Sequence, residues 1–271
     1  MSDIARVATP RDLPDWLLAR GRPWVTNDDI TGLLNVSAEE ASRVAGRWHA
    51  KGHAFSPARG LQMLIPAEYR SWGALPANQF IDPMMKHLNH AYYVAYLSAA
   101  EVHGAAHQRP QVFQVATDAR VRARQFGRVR VEFFSSVGVA SRPTVSVNTP
   151  TGTMIVSSPE TTVLDLLAHP RRGAGTSNVA TIIGELLETQ KIDANRLAEL
   201  SEQYPASVAN RTGWLVEFMA NAVSVDVDLS PLLGRVDRRI APSPLFPSEP
   251  RRGRVDPTWN VCVNGEVEPD Q

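Results

Sequence analysis

Cysteine is nearly missing from this chain. Cys262 stands alone among 271 residues, and a single thiol can form neither an internal disulfide nor a zinc knuckle. An excess of either charge is missing too: 28 basic residues meet 28 acidic ones, for a formal net charge of +0. No bulk field therefore pulls the chain toward nucleic acid or membrane, and any such binding must come from a local patch. Long apolar runs are also lacking. Residues 1 to 20, MSDIARVATPRDLPDWLLAR, hold no run like the core of a signal peptide. No stretch approaches the ~18 apolar residues of a membrane span. The expectation is a cytoplasmic protein with no membrane association. Missing as well are a G-x-S-x-G elbow, a Walker loop and a dinucleotide fingerprint, and no repeat or low-complexity block occurs.

What remains is ordinary globular composition, with 43% hydrophobic and 21% charged residues. The length suits two domains. The first 70 residues suggest three helices and a hairpin. DLPDWLLAR starts the first helix, with Asp12 as cap and Pro14 in the first turn. Asn27 is placed to cap a second helix over 28 to 34. Ser37 begins a third, and Glu40 three residues later completes a capping box. Ala41, Val44, Ala45 and Trp48 keep helical spacing and face a core. AFSP and LQMLIP then read as a hairpin about Arg59 and Gly60.

Helix, helix, short turn, helix, hairpin is the order of a winged helix-turn-helix. The third helix carries Arg43, Arg47 and Lys51 four residues apart, on one face. Ser37 and Ser42 sit toward its N-terminus, where base edges are met. Arginine suits this work because its planar fork pairs with the two acceptors of guanine. Lys51, His53 and Arg59 place positive charge at the wing, where phosphates run. Against this, Glu39 and Arg43 form an i, i+4 pair as on any solvated helix. The first 70 residues hold only nine basic side chains against eight acidic, and small three-helix domains also dock proteins.

After a Gly/Pro/Asn-rich stretch, RSWGALPANQF, the pattern changes. YYVAYLSAAEVHGAAHQ reads as helical. QVFQVAT and VRVEFF read as strands, and PTVSVNTPTGTMIVSS as two strands joined by a polar turn at Thr149 to Gly152. SSPETTVLDLLAHP is a helix capped by Ser158 with Pro159 at its first position. Helices follow at about 177 to 190, 193 to 203 and 208 to 222. Strands first and helices later favour an α+β fold. Arg120, Arg122 and Arg124 alternate with Val121 and Ala123. With Arg109, Arg128 and Arg130 they face one acid, Asp118. They read either as a second basic surface, for DNA or an acidic partner, or as an edge strand guarded by charge.

The remaining chemistry is thin. His103 and His107 have metal-ligand spacing, but Gly104 stands where the zinc-protease motif needs glutamate, and no third ligand is evident. Glu160 and Asp165, five apart, do not share a helical face. AHPRRGAGTSN follows a helix rather than a strand, which argues against a phosphate loop. The reading expects no enzyme, no metal and no cofactor.

The blocks YYVAYLSAAEVHGAAHQRPQVFQVAT, FGRVRVEFF and TPTGTMIVSSPETTVLDLLAHP, in this order, resemble those of AbiEi-type antitoxins from bacterial abortive-infection toxin–antitoxin systems. The resemblance covers about 10 to 222 and leaves the tail after 225 unmatched. It implies an N-terminal winged helix-turn-helix (1–72) followed by a mixed α/β antitoxin domain (78–225), with 226–271 as a Pro/Arg-rich extension. It also implies an autorepressor that binds double-stranded DNA at inverted repeats of its own promoter. The same protein would neutralise a nucleotidyltransferase-like toxin, directly or indirectly. Other readings are a winged-helix regulator with a ligand-sensing second domain, or a nuclease-like enzyme lacking its usual carboxylate–lysine cluster.

Overall fold

A computed structural model describes residues 9–106 and 110–269. His107 and Arg109 lie outside the described residues. The chain divides into two compact units. Among the described residues the first comprises 9–93, 111–140 and 146–155, and the second 94–106, 110, 141–145 and 156–269.

The first unit opens with α1 (Leu13–Leu18), β1 (Trp24–Thr26), α2 (Asn27–Leu34) and α3 (Ala38–Ala50). The hairpin β2 (Ala54–Ala58) and β3 (Leu61–Leu64) follows. Its sheet runs β1-β3-β2, antiparallel throughout. Leu13, Leu17, Ile30, Val44 and Trp48 are fully or almost fully buried in one core. The spacing that marked Ala41, Val44, Ala45 and Trp48 is realised as the inner face of α3. The indole of Trp48 donates to the Pro10 carbonyl at 2.8 Å, which removes the cost of burying its N–H.

The caps differ from expectation. Asp12 holds the N-cap position of α1 but caps no amide; its carboxylate accepts from the Thr9 hydroxyl at 2.6 Å. Thr26, not Asn27, caps α2. Thr26 ends β1 in an extended conformation that suits an N-cap. Its hydroxyl accepts the Asp29 N–H at 3.0 Å while the Asp29 carboxylate accepts the Thr26 N–H at 2.8 Å, a complete capping box. Ser37 caps α3 as expected, accepting from the Glu40 N–H at 3.2 Å. The other half of that box is not made, because Arg43 and Arg47 hold the Glu40 carboxylate.

Residues 67 to 79 form two short 3₁₀ turns, and Ala74, Leu75, Ala77 and Phe80 are buried there. After α4 (Ile81–His87) comes β4 (Tyr92–Val94), and only then α5 (Tyr96–Val102). The segment expected to be wholly helical thus begins as a strand. Val94 pairs in parallel with Val156, and Tyr96 takes a left-handed φ of 53° that turns the chain into the helix.

β5 (Phe113–Thr117), β6 (Arg124–Phe126), β7 (Val129–Ser135), β8 (Thr144–Thr149) and β9 (Gly152–Ser157) complete a six-stranded sheet of order β6-β7-β5-β4-β9-β8. β5 and β7 are parallel, while β6 and β7 form an antiparallel hairpin. Within the first unit the Phe126 ring meets Phe55 and Phe80, with centroids 5.4 Å away in each case.

In the second unit α6 (Pro159–Ala168) is buried from Glu160 to Leu167. Ser158 caps it through the Thr161 N–H at 3.2 Å. α7 (Thr176–Glu188), α8 (Ala194–Ser201) and α9 (Ala206–Ala222) pack around it. The remaining chain forms α10 (Ser230–Leu233) and a small sheet of β10 (Ser243–Pro244), β11 (Arg254–Asp256) and β12 (Val261–Val263). The molecule is α+β, as the order of its elements led us to expect.

Candidate nucleic-acid interface

α2 ends at Asn35 in the left-handed conformation, and Ser37 caps α3 two residues later. This tight link fixes the two helices against each other. It leaves Ser42, Arg43, Gly46 and Arg47 exposed on the face of α3 opposite Trp48. Ser37 is exposed, but its hydroxyl is engaged in capping. The Ser42 hydroxyl lies 3.5 Å from the Asn27 amide.

Neither arginine is free. Arg43 reaches Glu40 at 3.1 Å and Glu39 at 3.6 Å, and Arg47 reaches Glu40 at 2.9 Å. The Arg47 contact foremost, then Arg43, holds the Glu40 carboxyl below its ordinary range. The guanidinium-bearing side chains remain 65% and 54% exposed. Exposed ion pairs of this kind contribute little, so a phosphate or guanine edge can displace the carboxylate.

A polar ladder lies beneath this face, and sequence reasoning missed it. Gln62 on β3 is buried. Its amide donates to Asn27 at 2.9 Å, and its carbonyl oxygen lies 2.7 Å from His49 Nε2. The ladder ties α2, α3 and the hairpin together. The one hint in the sequence is a lone glutamine inside an otherwise apolar strand, LQML. Arg22 was missed as well; it pairs with Asp29 of the capping box at 2.7 Å.

The hairpin turn is only Arg59 and Gly60. Gly60 has φ 82°, which suits a residue without Cβ. The turn is tethered: the Asn27 N–H donates to the Gly60 carbonyl at 2.9 Å, and the Arg59 carbonyl contacts His87 Nε2 at 2.9 Å. The Arg59 side chain is exposed, as is Lys51 at the end of α3, whereas His53 is half-buried.

The arginine run does not form one strand face. Residues 120–123 lie outside any strand, and β6 begins only at Arg124. Arg120, Arg122, Arg124, Arg128 and Arg130 are all exposed. Arg124 stands opposite Val131 and Arg130 opposite Gln125, so Arg124 and Arg130 occupy opposite faces of the hairpin. Arg128 lies in the intervening turn. Arg124 reaches the Pro57 carbonyl on β2 at 2.9 Å, which joins it to the strand beside Arg59.

In the second unit, Glu160, Asp165 and His103 make hydrogen bonds within the fold. Glu160 accepts the Asp193 N–H at 3.2 Å, and Asp165 accepts the Tyr204 hydroxyl at 2.8 Å. His103 Nε2 lies 2.7 Å from the Ser157 carbonyl, and burial lowers the pKa of its ring. No cluster of three metal-ligating side chains occurs among the described residues. No helix there is long and apolar enough to cross a membrane.

Residues 93–218, which span α5 to most of α9, match the family model of the AbiEi antitoxin C-terminal domain. Over that span the chain is similar to the AbiEi antitoxin C-terminal domain. The match leaves out α1 to α4 and everything after Phe218, so α3, the hairpin and the C-terminal sheet lie outside it, whereas Arg120 to Arg130 lie inside it. Over almost its whole length the chain also resembles a solved structure, the RV2827C protein from Mycobacterium tuberculosis. The TM-score is 0.67 at 17% identity, covering 94% of this chain and 92% of that one. At that identity the likeness concerns the fold alone. No curated protein matches the sequence.

Proposed function

We propose that this AbiEi-type antitoxin is a non-enzymatic autorepressor whose residues 9–65 act as a winged helix on double-stranded DNA. The observation that carries the reading is α3. It offers Ser42, Arg43 and Arg47 to solvent on one face, beside a tight helix–helix link and a two-stranded hairpin. In this reading α3 enters the major groove and Arg43 and Arg47 exchange Glu40 for base edges. Lys51, Arg59 and Arg124 meet the flanking phosphates, with Ser37 and His53 at the margins. The operator is an inverted repeat in the promoter of its own operon. The AbiEi domain counters a nucleotidyltransferase-like toxin from the same operon.

The zero net charge shapes the expected behaviour. Nonspecific attraction is weak, so affinity rests on a few arginines and on copies cooperating at adjacent repeats. The test is a gel-shift titration of the full chain on DNA from upstream of its own gene, at two salt concentrations, with unrelated DNA as control. Specific, salt-sensitive, multistep retardation supports repression. Equal retardation of both DNAs leaves the first unit as a docking module, and the antitoxin role then rests on the AbiEi domain alone.

A further inference from the structure

The stretch AHPRRGAGTSN lies outside the proposed DNA interface and lines a cavity of about 630 Å³ in the second unit. α6 ends at Ala168. A 3₁₀ turn, Pro170–Gly173, follows, and Ala174 and Gly175 take positive φ before α7 starts at Thr176. One wall is this turn with Arg171, Arg172 and Thr176. The opposite wall is Phe246 to Glu249, from the segment beyond the AbiEi match.

The two walls differ in chemistry. Arg171 is exposed and has no ion-pair partner among the described residues. Arg172 stacks on the Tyr96 ring, 4.8 Å from its centroid, and donates to the Tyr96 hydroxyl. That contact holds its guanidinium beside the Tyr96 ring, while the residue lines the cavity. No side chain caps the 13-residue helix α7, so its positive end adds to the two arginines. His169 adds no third cation at neutral pH, because burial and then Arg172 lower its pKa. The far wall is apolar at Phe246 and Pro247. Asn264 pins it, receiving the Phe246 N–H at 2.9 Å and donating to the Phe246 carbonyl at 3.0 Å. Glu249 supplies one acceptor there, which suits a hydroxyl or amine on the occupant. The volume falls within the about 300–1,000 Å³ typical of small-molecule sites.

We propose that this cavity binds a phosphate-bearing small molecule of nucleotide size, with its phosphates on Arg171 and Arg172 and its apolar part against Phe246 and Pro247. The chain would then carry a ligand site independent of its DNA-facing helix, built jointly by the AbiEi domain and the C-terminal segment.

Isothermal titration of the full chain with ATP, inorganic phosphate and adenosine tests this. Saturable ATP binding is expected, with adenosine far weaker. Arg171→Gln should weaken ATP by about tenfold or more, as loss of a charge-assisted phosphate contact does, and Arg171→Lys should fall between. Phe246→Ala should weaken ATP but not inorganic phosphate. Arg171 is exposed, so its variants should melt with the wild type, which separates a binding loss from a folding loss. No ATP binding by the wild type, or equal binding by Arg171→Gln, overturns the assignment. The readout is ligand binding, so it stands apart from any gel-shift result.

Discussion

Glu40 links the fold of α3 to its proposed work. It sits at the position where a capping-box carboxylate returns to Ser37, yet its oxygens go to Arg43 and Arg47. The carboxylate thereby lowers the positive potential of the face that should meet DNA. Glu40→Gln should raise affinity for unrelated DNA and steepen its salt dependence, because two arginines become available to phosphates. Fluorescence anisotropy on random duplexes would read this, and an unchanged salt slope would show that the ion pair does not restrain the arginines. Arg43→Ala and Arg47→Ala should each cost about 1–3 kcal/mol of operator affinity. Full-strength gel shifts by both variants would remove α3 from the interface. Asp29 carries the acid sensitivity of the same region. Burial alone would raise its pKa, but the Thr26 N–H and hydroxyl and Arg22 together hold it below the ordinary carboxylate range. A depressed carboxyl contributes stability above its unfolded value, and loses that stability as pH falls through the folded value. Melts between pH 7 and pH 2 should therefore show a decline below about pH 4 that Asp29→Asn lacks. Thr26→Ala should cost about 1 kcal/mol at neutral pH.

At the scale of elements, what the sequence disclosed depended on where the information lies. α3 was legible because its signals are local: a serine cap, a helical apolar stripe and Gly52 at the end. α6 was legible from Ser158-Pro159 for the same reason. The cap of α2 was misplaced by one residue, since Thr26 and Asn27 are both good caps and only the end of β1 decides between them. β4 was hidden because three residues, YYV, carry no strand periodicity, and their partner Val156 lies 62 positions later. The arginine patch misled for a related reason. Alternation suggested a strand at 120–124, but the pairing starts at Arg124 and the turn at Arg128 sends the later arginines elsewhere. The polar ladder of Asn27, Gln62 and His49 could not be read at all, because it exists only once three elements meet. Trp48 tests the local part of this account. It is buried and anchors α3 to the residues before α1. Trp48→Ala should cost about 3–5 kcal/mol, seen as loss of the first unit's cooperative melt in the full chain. Trp48→Phe should retain most of that stability. An unshifted melt for Trp48→Ala would refute the core assignment.

For the whole molecule, the unexpected part is the segment after 225. Read as a Pro/Arg-rich extension, it resembled a tail, because its strands are two or three residues long and separated by turns. The structure instead folds it onto α9 within the second unit. Trp259 is fully buried, with its ring against Gly213 and its indole N–H donating to Glu217 at 2.7 Å. A Cβ at residue 213 would come within 2.0 Å of that ring, so α9 keeps a glycine inside a helix despite its helix-propensity cost. Leu245 and Val261 are also fully buried. The family domain therefore ends in sequence before the fold does: α9 needs the last residues to cover it. Gly213→Ala should destabilise the chain by about 1–3 kcal/mol through overpacking, and Trp259→Ala by about 3–5 kcal/mol through the cavity it leaves. Cutting the chain after Val225 should be worse than either, exposing the apolar side of α9 as an aggregation surface. Size-exclusion chromatography and thermal melts of the three variants check the order. A truncated chain that elutes without aggregation and melts like the full one would make the segment dispensable to the fold, leaving the cavity wall at Phe246 as its contribution.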